Sequence, residues 1–302
     1  MNKVIKVSEE TRKKMIEYYK DKKRQKEIPY VVFQAEDMDT VITMYTSGKV
    51  MFQGTSADVD ATMWLEMDGQ SLEKIPPKEV LRKYYYCSSV GSDEVGTGDY
   101  FGPIVVTASF VEKEDIPYLE QLGIKDSKKL TDEKILEIAP KIAKRIKYRT
   151  LILSNKEYNE KHGKDNNMNK IKAIMHNKVL YQLVEEEKPK YDYIIVDEFA
   201  KENRYYGYID NMSHIQRNIT FMTKAEDKNL AVASSSIISR YIFLKEFDKL
   251  SDALHIPLVK GAGSNVDAVG EEVVEKYGQE KLSEIAKLNF KNTERILKTR
   301  IF

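Results

Sequence analysis

"GSDEVGTGDYFGPIVVTASFV", residues 91–111, decides how the rest of the chain is read. One strand, "KYYYCSSVGSDE", ends on two adjacent carboxylates, Asp93 and Glu94. Three glycines follow within eight residues, and a second apolar run, "PIVVTASFV", then begins as the hairpin partner of the first. Adjacent side chains of a regular strand face opposite sides. Both acids can therefore reach one site only if the strand ends or bends there. Gly96 and Gly98 would permit that bend, because glycine takes unusual backbone angles at little cost. By itself the pair reads equally well as a strand-to-turn junction with solvated acids.

Downstream, the pattern alternates between strand and helix. "KYRTLILS" predicts a third strand, "YDYIIVDEFA" a buried one and "NITFMTKAED" another. "TDEKILEIAPKIAKRI" places Ile135, Ile138, Ala139 and Ile142 at helical spacing, with Pro140 expected to kink or split the helix. "NNMNKIKAIMHNKVLYQLVEEE" predicts a long amphipathic helix. "KNLAVASSSIISRYIFLKEFDKL" predicts a largely buried one, its Ala/Ser content allowing close packing. "DAVGEEVVEKYG" and "EKLSEIAKLNFKNTERIL" predict terminal helices. Early hairpins followed by strand–helix alternation make an α/β fold, a mixed sheet with helices on its faces.

Upstream lies a smaller unit. Ser8 can cap a helix running to about Lys23, its first turn acidic. "YVVFQA", "TVITMYT" and "KVMFQG" predict three antiparallel strands in a meander, and "SADVDATMWLEM" a second helix. "DGQSLEKIPPKEVL", with Pro76-Pro77, reads as a linker. The expected boundaries are residues 1–68, a linker 69–83 and a larger domain 84–302.

Composition bounds the function. At 302 residues, 41% hydrophobic and 32% charged, the chain describes a soluble globular protein with a sizeable core. Cys87 is the only cysteine, which excludes an internal disulfide framework and a multi-cysteine zinc site, and favours a reducing cytoplasm. The longest apolar runs fall far below the roughly 18 residues of a membrane span, so no membrane partner is expected. His162, His176, His214 and His255 show no metal-ligand spacing and are read as surface or core residues. The net charge of +1 gives no strong global field, but residues 1–26 hold ten Lys/Arg against four Asp/Glu. That segment reads either as a nucleic-acid-binding surface or as a solvated helix end.

Two further acids join the pair. Asp197 follows "YIIV" at the end of a central strand, where ligands collect in open sheets, or else it caps a turn. Glu226 follows "ITFMTKA" just before a helix, whose dipole it could simply complement. Three strand ends supplying four carboxylates, without a Cys/His cluster, suit hard divalent cations, Mg²⁺ or Mn²⁺. Two such ions about 4 Å apart serve phosphodiester hydrolysis. Glycine-bared backbone at "GTG" could approach a ribose, whose 2′-hydroxyl separates RNA from DNA.

Those residues carry a resemblance. "SDEVGTGDYFGPIVV" is similar to the opening motif of the type 2 ribonucleases H. "DSKKLT" (126–131), "IIVDEF" (194–199) and "KAEDKNLAVASSSIISR" (224–240) follow in the family's order over residues 84–300. The chain has "GTG" and "KAE" where the HII branch has "GRG" and "KGD". Its N-terminal helix-plus-meander resembles the TBP-like substrate-binding domain of the HIII branch. The resemblance therefore implies a ribonuclease H-like mixed sheet behind a TBP-like domain, acting as a monomer. It implies cleavage of the RNA strand of RNA–DNA hybrids with Mg²⁺ or Mn²⁺, leaving 5′-phosphate and 3′-hydroxyl ends. Asp93, Glu94, Asp197 and Glu226 become metal ligands and catalytic residues. Gly96, Thr97 and Gly98 become the ribose-contacting loop, and Lys128 a neighbour of the cleaved phosphate. Ser234 to Ser236 could touch phosphates or merely allow helix packing. The competing functions are an HII-like enzyme cutting at single ribonucleotides in duplex DNA, and a non-catalytic hybrid-binding protein.

Overall fold

The computed structural model describes residues 2–24, 28–37, 40–54, 57–68, 83–124 and 130–298. The chain divides into two compact units, Met1–Glu79 and Val80–Phe302. Most of the expected linker, and Lys128, lie outside the described residues.

In the first unit Ser8 caps the helix Glu9–Tyr18, its Oγ accepting from Thr11 N at 3.2 Å, with Glu9 and Glu10 in the first turn. The helix stops at Tyr18 and a single 3₁₀ turn, Lys20–Lys22, follows it. Strands β1 (Asn2–Lys6), β2 (Val31–Asp37), β3 (Thr40–Tyr45) and β4 (Lys49–Gly54) form an antiparallel sheet in the order β1-β4-β3-β2. The expected meander is β2-β3-β4, and β1 is an addition to it. Only Ile5 of β1 is buried, so the strand shows almost no alternation to read; its pairing, Ile5 opposite Val50, holds it. Helix Ala57–Met67 brings Ala57, Ala61 and Trp64 into a core with Met15, Tyr19, Ile42 and Phe52. There Trp64 Nε1 donates to the Tyr19 hydroxyl at 3.0 Å.

In the second unit the opening stretch becomes the hairpin β5 (Ser89–Val95) and β6 (Ile104–Val111). The expected first strand begins late, because residues 83–85 are helical. With β7 (Lys147–Leu153), β8 (Tyr193–Asp197) and β9 (Ile219–Met222) the sheet runs β7-β6-β5-β8-β9. Strand β5 is antiparallel to β6 and parallel to β8, which is parallel to β9. Every residue of β6 is buried, as a strand covered on both faces requires. Its Ile104, Val106, Ala108 and Phe110 pack in one cluster with Ile171, Val179, Leu180 and Leu183 of helix Met168–Glu187. Val105 joins Phe243 and Phe247 of helix Leu230–Leu254 in another.

Two elements depart from the expected pattern for identifiable reasons. Pro140 does not split helix Asp132–Arg145. Its apolar stripe, Ile135 and Ile138 before the proline and Ile142 after it, is buried with Ile237 and Leu244, so packing spans the lost hydrogen bond. The terminal stretch 280–297 is not one helix but Leu282–Ile285 and Lys291–Lys298. Between them the backbone bonds elsewhere: Ile285 O accepts from Gly102 N, and Lys287 N donates to Tyr100 O.

Candidate active site

The register of the central strands assembles the site. Ser92 pairs with Val196 across the parallel β5–β8 ladder, so Asp93 and Asp197 follow at the same level on neighbouring strands. Asp197 in turn pairs with Met222 at the end of β9. Asp197 Oδ1 accepts from Ala225 N at 2.8 Å, which hooks the turn Ala225–Asp227, and with it the buried Glu226, onto β8. Lys224 enters that turn with a left-handed φ of 52°. Asp93 and Asp197 thus stand side by side on neighbouring strands, and the turn that carries Glu226 is tied to Asp197.

Glu94 follows Asp93 within β5 and has partners of its own. The Asp93 carboxyl meets Ser236 of helix Leu230–Leu254. The Glu94 carboxylate meets Lys172 Nζ at Oε1 and His176 Nε2 at 2.9 Å from Oε2, both on helix Met168–Glu187. His176 Nδ1 lies 2.7 Å from Ser92 Oγ, and its ring stacks on Phe199, over which Lys172 also sits. Among the described residues no three His, Cys, Asp or Glu side chains stand together as a preformed metal cage.

The electrostatics of the two carboxyls differ. Burial, then the charges of Glu94 and Asp197, push the Asp93 carboxyl up to about 8. Burial alone would raise Glu94 too, but the hydrogen bond and charge of His176 and the charge of Lys172 outweigh it and hold it well below the usual carboxylate range. Negative charge is therefore left under-compensated beside Asp93 and compensated beside Glu94. An all-oxygen donor set with surplus negative charge fits a hard divalent cation.

Beyond β5 the chain turns at Gly96. Its φ is +94°, and a Cβ there would stand 2.1 Å from Pro103 O, so this position requires glycine. Gly98 differs from its expected role: its φ is ordinary, its surroundings are open and it is exposed, so it bares backbone rather than bending it. Thr97 between them is half-buried. Of the three serines, Ser234 and Ser235 are fully buried, and Ser235 Oγ donates to Gly91 O at 2.9 Å, which is packing. Only Ser236 turns to the site. Lys172 and His176, the partners of Glu94, are not among the site residues expected from the sequence, where His176 reads as a surface or core residue. Their signal was available: they stand four apart on the same stripe as Val179, Leu180 and Leu183, buried charge on an apolar face.

A family model described as ribonuclease HII matches residues 90–293. The chain belongs to the ribonuclease HII and HIII family. A ribonuclease HIII of Bacillus cereus is 42% identical over 274 residues, covering 87% of this chain and 88% of its own. The solved structure of Bst-RNase HIII in complex with Mn²⁺ superposes with a TM-score of 0.73 at 37% identity, over 100% of this chain and 99% of that one. RNase H3 of Aquifex aeolicus follows at 0.56 and 25%, over 95% and 100%. Residues 2–76 match a second model, described as a domain of unknown function, DUF3378. As a member of this ribonuclease family the chain is an endonuclease, and cleavage of RNA in RNA–DNA hybrids is the family's activity. No helix among the described residues is long and apolar enough to cross a membrane.

Proposed function

We propose that this chain, as a cytoplasmic monomer, hydrolyses the RNA strand of RNA–DNA hybrids with Mg²⁺ or Mn²⁺ held by Asp93, Asp197, Glu226 and Glu94, leaving 5′-phosphate and 3′-hydroxyl ends. The observation that carries the reading is the β5–β8 register, which sets Asp93 beside Asp197, where burial and then the charges of Glu94 and Asp197 raise the Asp93 carboxyl. When bound, a divalent cation, one or two per site, supplies the Lewis acidity that phosphodiester hydrolysis at neutral pH needs. The chain's own residues do the rest. Ser236 and the Glu94 amide, 2.9 Å from Asp93 Oδ1, orient the Asp93 carboxyl. Ala225 N orients Asp197. Lys172 and His176 orient the Glu94 carboxylate.

Selection of RNA falls to the loop Gly96-Thr97-Gly98, whose exposed Gly98 backbone offers donor and acceptor groups to a 2′-hydroxyl. Threonine at the centre of this loop supports the HIII-type preference for continuous hybrid over an isolated ribonucleotide in duplex DNA. The first unit supplies the grip on the duplex. Lys20, Lys23 and Arg24 line a groove of about 1100 Å³ beside β2, next to Val32, which is 55% exposed. The test is Asp93→Asn: cleavage of labelled hybrid is lost with either metal while hybrid binding persists. Cleavage that survives in this variant, or in excess chelator, overturns the reading.

A further inference from the structure

The segment that follows the Gly96-Thr97-Gly98 turn is held by residues far along the chain. Asp99 Oδ1 accepts from Gly261 N at 2.6 Å, and Tyr100 N donates to Gly261 O at 2.8 Å. Gly102 N donates to Ile285 O at 3.0 Å, Lys287 N to Tyr100 O at 2.9 Å, and Phe101 bridges Ala286. At the centre is Lys287, a lysine with 0% exposure. Its Nζ donates to two backbone carbonyls, Asp99 O at 2.9 Å and Gly102 O at 2.5 Å.

Burying a lysine is costly, and an apolar residue of equal length would pack at least as well. What an apolar residue cannot do is bond two carbonyls three residues apart in one turn, which would otherwise be left unmet in the interior. Burial also lowers the Lys287 ammonium to about 7, against the opposing charge of Asp99. Two N–H donors suffice for two carbonyls, so the tether works with the amine neutral as well as charged.

We propose that Lys287 is a positioning residue: its amine ties Asp99 and Gly102 together and so fixes the Gly96-Thr97-Gly98 loop at the ribose. The inference rests on the reading of that loop as the ribose reader. It assigns to the C-terminal segment a part in telling RNA from DNA.

The test compares the full-length protein with Lys287→Met, which keeps the stem and removes the donors, and with Lys287→Gln, which restores two N–H donors on a shorter stem. Each is assayed with Mn²⁺ on an RNA–DNA hybrid and on a series in which one 2′-deoxynucleotide is walked along the RNA strand. In Lys287→Met, kcat is expected to fall about tenfold to a hundredfold with KM within about threefold, as for a misplaced catalytic geometry. The wild-type penalty for a 2′-deoxynucleotide at the read position shrinks in parallel, and Lys287→Gln recovers part of both. A folded Lys287→Met with wild-type kcat, or with the positional penalty undiminished, overturns the role of Lys287 alone. If the wild type shows no sensitive position, the ribose reading fails and the proposal with it. If neither variant folds, by circular dichroism and thermal melting, Lys287 is a stability residue and the proposal falls.

Discussion

Asp93 and Glu94 are neighbours in sequence with opposite consequences for stability. The folded Asp93 carboxyl sits above its ordinary value, so the native state holds that proton more tightly than the unfolded chain does. With both states protonated at pH 3 there is no penalty. As pH rises from about 4 towards 8 the unfolded chain gives up its proton first, and stability drains away. In chelator, Asp93→Asn should therefore melt higher than wild type at pH 8 and the same at pH 3, and Mn²⁺ should stabilise the wild type more than the variant. Equal melting temperatures at pH 8 in chelator would refute the assignment. Glu94 has the other sign. Its depressed carboxyl contributes stability above the ordinary range, and that contribution is lost as pH falls towards about 2. Glu94→Gln leaves Lys172 buried without its charge partner, so a loss of about 3 kcal/mol is expected at pH 7 and a smaller one at pH 3, read from urea midpoints.

At the scale of elements, the site depends on how closely helix Leu230–Leu254 approaches β5. The helix begins where buried Asn229 caps it: Oδ1 accepts from Val232 N at 3.0 Å, while Nδ2 donates to Tyr84 O and Ser89 Oγ. Gly91 makes the contact possible, since a Cβ there would stand 2.4 Å from Val232 N, a backbone atom that cannot rotate away. Gly91→Ala should cost about 3 kcal/mol or more in urea unfolding, at the upper end of overpacking penalties, and lower kcat by displacing Asp93. A neutral effect would mean that the helix can slide. This approach also marks the limit of what was legible in the residues themselves. The hairpin and the order of strands and helices could be read, because each depends on local period. The partners of Glu94 could not, because Lys172 and His176 come from a helix far along the chain. The bend permitted by the glycines comes at Gly96, after the strand has ended at Val95. The gap in the terminal helix was hidden for a related reason. Nothing local to residues 286–290 breaks a helix; the loop at 99–102 captures that backbone from a distance.

At the scale of the whole molecule, a chain with a net charge of only +1 needs a local source for its grip on nucleic acid, and the basic segment 1–26 is the candidate. The structure tempers that charge. Lys13 and Lys14 pair with Glu9 and Glu10, Lys20 with Glu17, Lys22 with Asp37 and Arg24 with Glu36. All of these are surface pairs, weak and screened by salt, so a phosphate can displace the acid at little cost. Binding through this unit should therefore be salt-dependent and blind to sequence. Removing residues 1–79 is expected to raise KM for hybrid about tenfold or more while kcat stays within a few-fold, because none of the four carboxylates lies in that unit. A finer measurement separates real phosphate contacts from a general loss of charge. Lys20→Ala, Lys23→Ala and Arg24→Ala should each flatten the slope of log affinity against log salt by about one for every phosphate no longer neutralised. Tyr30→Ala, between Pro29 and Val31 of the groove lining, should weaken binding without changing the slope, since the 79%-exposed ring carries no charge. If the lysine and arginine variants keep the wild-type slope, the grip lies on the catalytic unit, and deletion of residues 1–79 should then leave KM unchanged as well.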